Sequence, residues 1–322
     1  MNEAFRNDRA NELYHICQIS EDKGVIFYTM WDYIVFFCLL CTNVRKYKVT
    51  LVAVTLMLNH IHVAFSGNLS EITNCMRTTL SSFSLEYNSR GGTCILHFKK
   101  GLNKSQKSSG KKIRSCLVYI LNNPVEKNAC NKAFEYRWNF LQYHSNSHPF
   151  SEEIILRRCS ADFRRTRSLV IAARNSGRPI RYKFLETWMK KLSVSERLQM
   201  CDFIISSYNA IDYKSMVSRF GSLESLSIAL ESTTGSDYEI REDLSKENYR
   251  HYTTLFNVSR KMGLFGTSGE LRFNEKVAHK LANQLLKISD ATSYEISRYL
   301  HFPAPCRTTP PLSTAYDTHG KF

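Results

Sequence analysis

Two histidines separated by one apolar residue are the clearest chemical signal in this sequence. The segment Asn59-His60-Ile61-His62 follows an apolar run at 49–58 that predicts a β-strand. Residues i and i+2 of a strand point to the same face, so His60 and His62 project side by side while Ile61 points into a core. Two imidazoles on one rigid strand form half of a metal site. Alone, the pattern is more often a pair of packed or surface histidines.

A second segment further along the chain adds a phenol and an amide. Residues 114–125 predict a helix that stops at Pro124, because proline disfavours helical geometry in the residue before it. Tyr119 and Asn123 are four residues apart and therefore share one face of that helix. The amide oxygen of Asn123, at the last turn, is well placed to reach a neighbouring metal. Without the histidines, a buried tyrosine near a polar helix end would be the simpler interpretation.

Taken together, the two segments resemble the REP-associated tyrosine transposases, a family of HUH (His-hydrophobic-His) transposases with one nucleophilic tyrosine. That family carries a Pro-Asn-His-hydrophobic-His segment and a later Tyr-Ile-x-x-Asn-Pro-Val segment. Here they stand as 58–62, with Leu58 in place of the proline, and as 119–125. Residues 83–92 are similar to the family's aromatic-Asn-x-Arg stretch before a glycine. The resemblance covers about residues 10–145.

The resemblance implies metal-assisted transesterification of single-stranded or hairpin DNA. Tyr119 would be the nucleophile and would form a 5′-phosphotyrosine intermediate. His60, His62 and Asn123 would hold a divalent ion, either Mg²⁺ or Mn²⁺. Since a free phenol has a pKa of about 10, Tyr119 needs nearby positive charge to lose its proton. The basic residues expected to bind DNA are Lys99, Lys100, Lys111, Lys112, Arg114, Arg164, Arg165 and Arg167.

The charge balance favours a polyanionic partner. The 322-residue chain has a net charge of +15 and a pI of about 9.4, which suits DNA, RNA or an anionic surface. No apolar run is long enough to span a membrane, and the N-terminus lacks the apolar core of a secretory signal. We therefore expect a cytoplasmic, nucleoid-associated protein, monomeric or homodimeric. The only Cys-x-x-Cys pair, Cys38 and Cys41, lies in an apolar helix and predicts buried reduced thiols rather than a zinc or redox site.

The order of predicted elements indicates an α+β fold. Strands at 12–19, 49–57, 60–66 and 94–98 alternate with helices to give the order βαββαβα. This order predicts a ferredoxin-like antiparallel sheet with helices on one face, the fold that the resemblance also implies. His60 and His62 would then face the helix that carries Tyr119. A basic loop at 99–112 would precede that helix.

The predicted organisation has four parts. Residues 1–150 would form the HUH catalytic domain, and 151–183 a basic arm that tracks phosphates. Residues 184–303 predict an all-helical C-terminal domain with a candidate role in DNA binding, and 304–322 a disordered tail. Residues 291–300 resemble the first helix of a helix-turn-helix. The proline-rich segment that follows cannot form a recognition helix.

Three other functions fit the same features. The first is a non-catalytic DNA-binding protein that kept the fold and the charge. The second is a phosphodiesterase that uses activated water instead of Tyr119, which would cleave DNA without a covalent adduct. The third is an RNA-binding α+β module, which would require exposed aromatic residues on the sheet face that carries the histidines.

Overall fold

A four-stranded antiparallel sheet forms the centre of the molecule. The computed structural model describes residues 12–21, 25–90, 96–127, 129–232, 254–255, 258, 275–289 and 291–300. The strands are β1 (Leu13–Ile19), β2 (Thr50–Leu56), β3 (His60–Ser66) and β4 (Asn103–Lys107). Their order is β2-β3-β1-β4 with every neighbouring pair antiparallel. This is the strand order of a split βαβ fold, so the predicted α+β class and antiparallel sheet are confirmed.

Helices cover both faces of the sheet. Helices α1 (Met30–Tyr47) and α2 (Leu69–Asn88) pack on the face that carries Ile16, Ile61 and Val63. Helix α3 (Gly110–Glu126) packs on the opposite face, against apolar residues of β1, β2 and β3. The prediction that all helices lie on one face is therefore wrong for α3. Residues that alternate along a strand face opposite sides, and every residue of β3 is buried, so both faces of this strand are covered.

The fourth strand lies later in the chain than predicted. Within the predicted strand 94–98, only Phe98 forms a bridge, to Ser20, and residues 94–95 lie outside the described part. The strand at Asn103–Lys107 instead occupies the segment predicted to be a basic loop. Its sequence, Asn-Lys-Ser-Gln-Lys, has little β-propensity, and it pairs with β1 along one side only. Polar, lysine-bearing strands are common at sheet edges because they discourage pairing with other chains.

Helix α3 continues through its proline. Pro124 lies inside the helix, which ends at Glu126 rather than before the proline. A proline has no N–H, so the carbonyl of the residue four positions earlier, Ile120, loses its usual donor. The hydroxyl of Thr55 on β2 donates to that carbonyl at 2.7 Å. This bond replaces the missing helical hydrogen bond and fixes α3 to the sheet.

The rest of the described chain is helical. The helices are α4 (Ala161–Asn175), α5 (Tyr182–Trp188), α6 (Val194–Tyr208), α7 (Tyr213–Ser218), α8 (Leu223–Ser232), α9 (Glu275–Ile288) and α10 (Ser293–Leu300). Buried residues of α4, α5 and α6 share the core of α1 and α2, whereas α7 and α8 pack with α3. A third, smaller core joins α9 and α10 to the loop residues Val25 and Leu58.

Several predictions about organisation concern this region. The basic segment 151–183 contains α4, whose Phe163 and Val170 are buried. The boundaries at 150, 183 and 303 stay predictions. The predicted tail, 304–322, and the segment after the helix at 291–300 lie outside the described residues.

Cys38 and Cys41 are buried and form no disulfide. Among the described helices, none is both long and apolar enough to cross a membrane.

Candidate active site

The predicted site residues converge between the sheet and α3. On β3, His60 lies opposite Ile19 of β1, and His62 lies between Cys17 of β1 and Thr55 of β2. Ile61 points to the other face, into the core beneath α1 and α2. The alternation of the strand therefore places both imidazoles on the side that α3 covers, as the sequence predicts.

His60 is held between two amides. Its Nε2 lies 2.9 Å from Oδ1 of Asn123, and its Nδ1 lies 2.7 Å from Oδ1 of Asn59. A neutral imidazole has one N–H and cannot donate to two carbonyl oxygens. Either the ring is protonated, one amide presents its NH₂ group instead, or a cation takes the position of the proton between Nε2 and Asn123.

His62 is paired with a histidine that the sequence did not single out. The Nε2 of His15 lies 3.1 Å from Nδ1 of His62, and the two rings stack with their centroids 5.3 Å apart. Burial lowers the pKa of His62 well below its usual 6.5, and the charges of His15 and Lys127 lower it further. His62 is therefore held in the neutral form, which is the form that binds metals.

The phenol of Tyr119 completes the cluster. Its ring meets the ring of His62 edge-on with centroids 5.4 Å apart, and that of His15 at 6.1 Å. Asn123 follows Tyr119 by one helical turn, so both side chains point from α3 towards the histidines. The structure thus brings together all four residues that the sequence predicts for catalysis and metal binding.

Three further residues contact or influence the cluster of His60, His62, Tyr119 and Asn123, which we call the pocket. The pairing of β1 with β3 brings His15 next to His62. In the sequence, the signal for His15 was its position in the first predicted strand, at 12–19. Thr55, opposite His62, anchors α3 one residue after Tyr119. Lys127, just after α3, adds positive charge near His62. Neither Thr55 nor Lys127 has a local sequence pattern that reveals its role, because each acts on a residue distant in the sequence.

The donor set fits a divalent cation. Two ligands of one octahedral ion, each at about 2.1 Å, lie about 3 Å apart, which matches the separation of His60 Nε2 and Asn123 Oδ1. The Nδ2 of Asn123 is buried without a hydrogen-bond partner in the described structure. In the described parts of the chain, no three His, Cys, Asp or Glu side chains are arranged to hold a metal. An ion here would therefore depend on the amide oxygen of Asn123.

The pocket is closed to solvent. Tyr119 is 5% exposed, and both His62 and Asn123 are fully buried. On the outer side of α3, Asn122 donates to the backbone carbonyl of Leu230 on α8 at 2.7 Å. A large substrate can reach Tyr119 only if the elements around α3 move apart.

The predicted DNA-binding residues lie in two separate places. The residues of the first group are all exposed: Lys111, Lys112 and Arg114 in the first turns of α3, and Lys99 and Lys100 before β4, where the N–H of Lys99 donates to the Ile19 carbonyl at the end of β1. Arg164 and Arg165 are exposed on α4, and Arg167 is half-buried there. Helix α4 shares the core of α1, on the sheet face opposite the pocket. The two groups therefore do not form one continuous surface beside Tyr119.

Comparison with known proteins yields one structural likeness. No protein-family model matches the chain, and no curated protein sequence matches it. A solved structure of a REP-associated tyrosine transposase bound to a REP hairpin is similar over 41% of this chain and 78% of that chain. The identity is 12% and the TM-score is 0.36. A likeness of this size establishes neither a family nor an activity.

Proposed function

We propose that this protein is a DNA strand-transferase that cleaves single-stranded or hairpin DNA with Tyr119 as its nucleophile. The contact between Tyr119 and His62, one helical turn from the contact between Asn123 and His60, carries the proposal. A phenol, two imidazoles and an amide oxygen are the groups that a metal-assisted attack on a phosphodiester needs. The high positive charge of the chain suits the same substrate.

In the proposed reaction, the phenolate oxygen of Tyr119 attacks a backbone phosphorus. A new P–O bond forms to the tyrosine, and the bond from phosphorus to the 3′ oxygen breaks. That oxygen leaves as a 3′-hydroxyl after it takes up a proton, and the 5′-phosphate stays on Tyr119. The phosphodiester energy is retained in the new bond, so the step can be reversed to join strands without ATP.

The residues of the pocket prepare this attack. His60, His62 and Asn123 would hold Mg²⁺ or Mn²⁺, which when bound polarises a non-bridging phosphate oxygen. Because Nδ1 of His62 bonds to His15, an ion would use Nε2 of His62. The bond from Thr55 to the Ile120 carbonyl would keep Tyr119 in register with the histidines. Lys127 adds positive charge near His62, whose ring meets that of Tyr119.

A covalent-adduct assay tests the proposal. The chain is incubated with Mn²⁺ or Mg²⁺ and a 3′-labelled pool of single-stranded oligonucleotides that contains a randomised segment. We expect a labelled protein band in a denaturing gel and a phosphotyrosine at position 119 in peptide mapping. Tyr119→Phe should remove the band, whereas Tyr47→Phe, which removes a hydroxyl remote from the pocket, should keep it. An adduct that survives in Tyr119→Phe would refute the nucleophile.

The burial of the pocket favours a second candidate function. Tyr119, His62 and Asn123 are all buried, and the contacts of Tyr119 with His62 and of Asn123 with His60 can serve to hold α3 on the sheet. A non-catalytic DNA-binding protein of the same fold needs no open pocket. This candidate predicts DNA binding without an adduct under any metal condition, and without any change in binding when Tyr119 becomes Phe.

A further inference from the structure

A second group of side chains, far from the pocket, combines positive charge with aromatic rings. The guanidinium of Arg165 on α4 lies 4.8 Å from the ring centroid of Trp188, and the ammonium of Lys191 lies 4.4 Å from the same centroid. Arg165 and Lys191 are exposed and Trp188 is half-buried. We call these three residues the Trp188 platform. One indole thus positions two cations from segments that are distant in the sequence.

The neighbours of the platform repeat the arrangement. Arg167 lies over Phe203 at 4.8 Å, and Lys190 lies over Trp31 at 6.0 Å. No carboxylate among the described residues forms an ion pair with either of them, or with the two cations of the platform. Within the described part of the chain, these four cations therefore lie over aromatic rings rather than in ion pairs with carboxylates.

Two other arginines show what the absence of a carboxylate means. Arg90 lies over Tyr182 but also lies 3.6 Å from Asp32. Arg137 lies over Phe150 but also forms an ion pair with Asp202 at 2.8 Å. A carboxylate neutralises the cation that it holds, whereas an aromatic ring attracts a cation and leaves its net charge in place. The cations of the platform are therefore both positioned and available to an anion.

The surrounding chain leaves this charge uncompensated. Residues 156–191 contain eleven Lys and Arg but only two acidic residues, Asp162 and Glu186. Glu186 lies 3.5 Å from Arg90 and is thus partly neutralised. Asp162 lies in the first turn of α4, where the helix dipole favours a negative charge. Neither acid pairs with Arg165 or Lys191.

The platform and the candidate active site face opposite sides of the sheet. Leu185 and Met189, next to Trp188 in sequence, are buried in the core shared with α1. Tyr119 belongs to the core on the other face, beneath α3. A DNA segment bound at the platform is therefore not the few nucleotides that Tyr119 would attack, but a flanking or separate part of the molecule.

We propose that the Trp188 platform is a binding site for the phosphate backbone of DNA, separate from the catalytic pocket. The choice of DNA as the polyanion rests on the proposed function; the existence of an anion site rests on the platform itself. Two cations fixed beside one ring suit a backbone with a phosphate at every nucleotide, since Arg and Lys both donate readily to phosphate oxygens. Positioned cations also lose less side-chain entropy when they bind.

The test is a salt titration of DNA binding in a full-length chain that cannot form an adduct. Fluorescein-labelled 20-nucleotide oligo(dT) is titrated with the Tyr119→Phe protein at several NaCl concentrations and followed by anisotropy. The slope of log K against log salt is negative, and each lost phosphate contact reduces its magnitude by about 0.7 for a single strand. We expect Lys191→Gln to reduce that magnitude by about 0.7, and Arg165→Gln with Lys191→Gln to reduce it by about 1.4.

A matched lysine separates position from net charge. Lys46 is also an exposed lysine over one aromatic ring, Tyr47, at 5.2 Å, but it lies at the end of α1, outside the basic segment 156–191. Lys46→Gln should leave the slope unchanged. Equal effects of Lys46→Gln and Lys191→Gln would show that only net charge matters and would overturn the proposal.

Removal of the ring tests the positioning directly. Trp188→Leu keeps every charge, yet we expect it to weaken oligo(dT) binding about threefold to tenfold, because Arg165 and Lys191 lose the ring that positions them. Trp188→Phe, which keeps an aromatic face and packs more conservatively, should retain most of the affinity. Circular dichroism confirms that each variant is folded. Unchanged affinity in a folded Trp188→Leu protein would overturn the proposal.

Two further outcomes identify other partners. If the platform variants lost binding to phosphatidylserine vesicles, or to an acidic peptide, while they bound oligo(dT) as before, the site would belong to that partner and the DNA proposal would be refuted. These measurements need no chemistry at Tyr119. Failure of the adduct assay leaves them valid, and failure of the platform variants leaves the adduct assay valid.

Discussion

The two faces of the sheet use similar side chains in opposite ways. Beneath α3, the rings of His15, His62 and Tyr119 are buried, meet one another at 5.3–6.1 Å, and hold no exposed charge. At the Trp188 platform, the ring is half-buried and the nitrogen-bearing side chains are exposed cations. Burial accounts for the difference. It lowers the pKa of His62 and keeps that ring neutral, whereas Arg165 and Lys191 are exposed to water.

We therefore propose chemistry for one face of the sheet and electrostatic attraction for the other. Neutral imidazoles in a buried pocket suit metal ligation and a nucleophile. Exposed cations suit binding that is reversible and sensitive to salt. The two functions should therefore be separable by mutation.

The largest expected effect is on adduct formation. His60→Ala with His62→Ala should reduce the rate of adduct formation by at least ~100-fold, and should change oligo(dT) affinity less than twofold because the exposed cations remain. Arg165→Gln with Lys191→Gln should do the reverse, with weaker binding and a normal rate at saturating DNA. Adduct rates are read from quenched time courses and affinities from anisotropy. If the histidine pair changed affinity and rate equally, the assignment of separate roles would fail.

The second effect compares two arginines that both lie over aromatic rings. Arg137→Met should destabilise the protein by about 3–5 kcal/mol, because it leaves Asp202 buried without its cation. Arg165→Met should cost less than about 1 kcal/mol, since no buried charge depends on it. Urea unfolding at pH 7.5 measures both. Similar losses for the two variants would mean that Arg165 has a structural role that contradicts a binding platform.

The third effect is a pH dependence of the free energy of unfolding that comes from His62 in the pocket. The folded pKa of His62 lies below its unfolded value of 6.5, so the unfolded chain binds the proton more tightly. Stability from neutral His62 is fully present above pH 6.5 and is lost as the pH falls below it, by about 1.4 kcal/mol per pH unit. Urea unfolding at pH 7.5, 6.5 and 5.5 measures this loss. His62→Gln should show a smaller loss between pH 6.5 and 5.5, and an identical loss would place the titrating group elsewhere.

The smallest effect concerns the bond that seats α3. Thr55→Val should destabilise the protein by about 1 kcal/mol, because the Ile120 carbonyl, already without its helical donor, loses the hydroxyl as well. Thr187→Val removes a hydroxyl that bonds to a helix carbonyl at an exposed position and should change stability by less than about 0.5 kcal/mol. Thermal unfolding of both variants gives the comparison. If Tyr119 depends on this bond for its position, Thr55→Val should also slow adduct formation.

Much of the pocket was predictable because its pieces are local patterns. Alternation along a strand placed His60 and His62 on one face, and helical spacing placed Tyr119 with Asn123. The order of the predicted elements indicated an α+β fold with an antiparallel sheet, which the structure has. The position of β4 was not predictable, because the pairing with β1, rather than the propensity of Asn-Lys-Ser-Gln-Lys, makes that segment a strand.

The platform shows the limit of the same reasoning. The abundance of arginine in the basic segment was visible in the sequence, and it predicted an anion-binding role. Nothing local indicated that Arg165 and Lys191 would both lie over the ring of Trp188, or that this surface would face away from Tyr119. Those facts depend on how α4 and α5 pack against α1.

The sequence by itself determined the repeating geometry of each element and hence which side chains share a face, because strand and helix periods are properties of the backbone. Tertiary structure alone decided which faces meet. It placed His15 against His62, Thr55 against the carbonyl exposed by Pro124, and one indole beside two cations. These pairings come from the burial of apolar surface between segments far apart in the chain, and local periodicity holds no information about them.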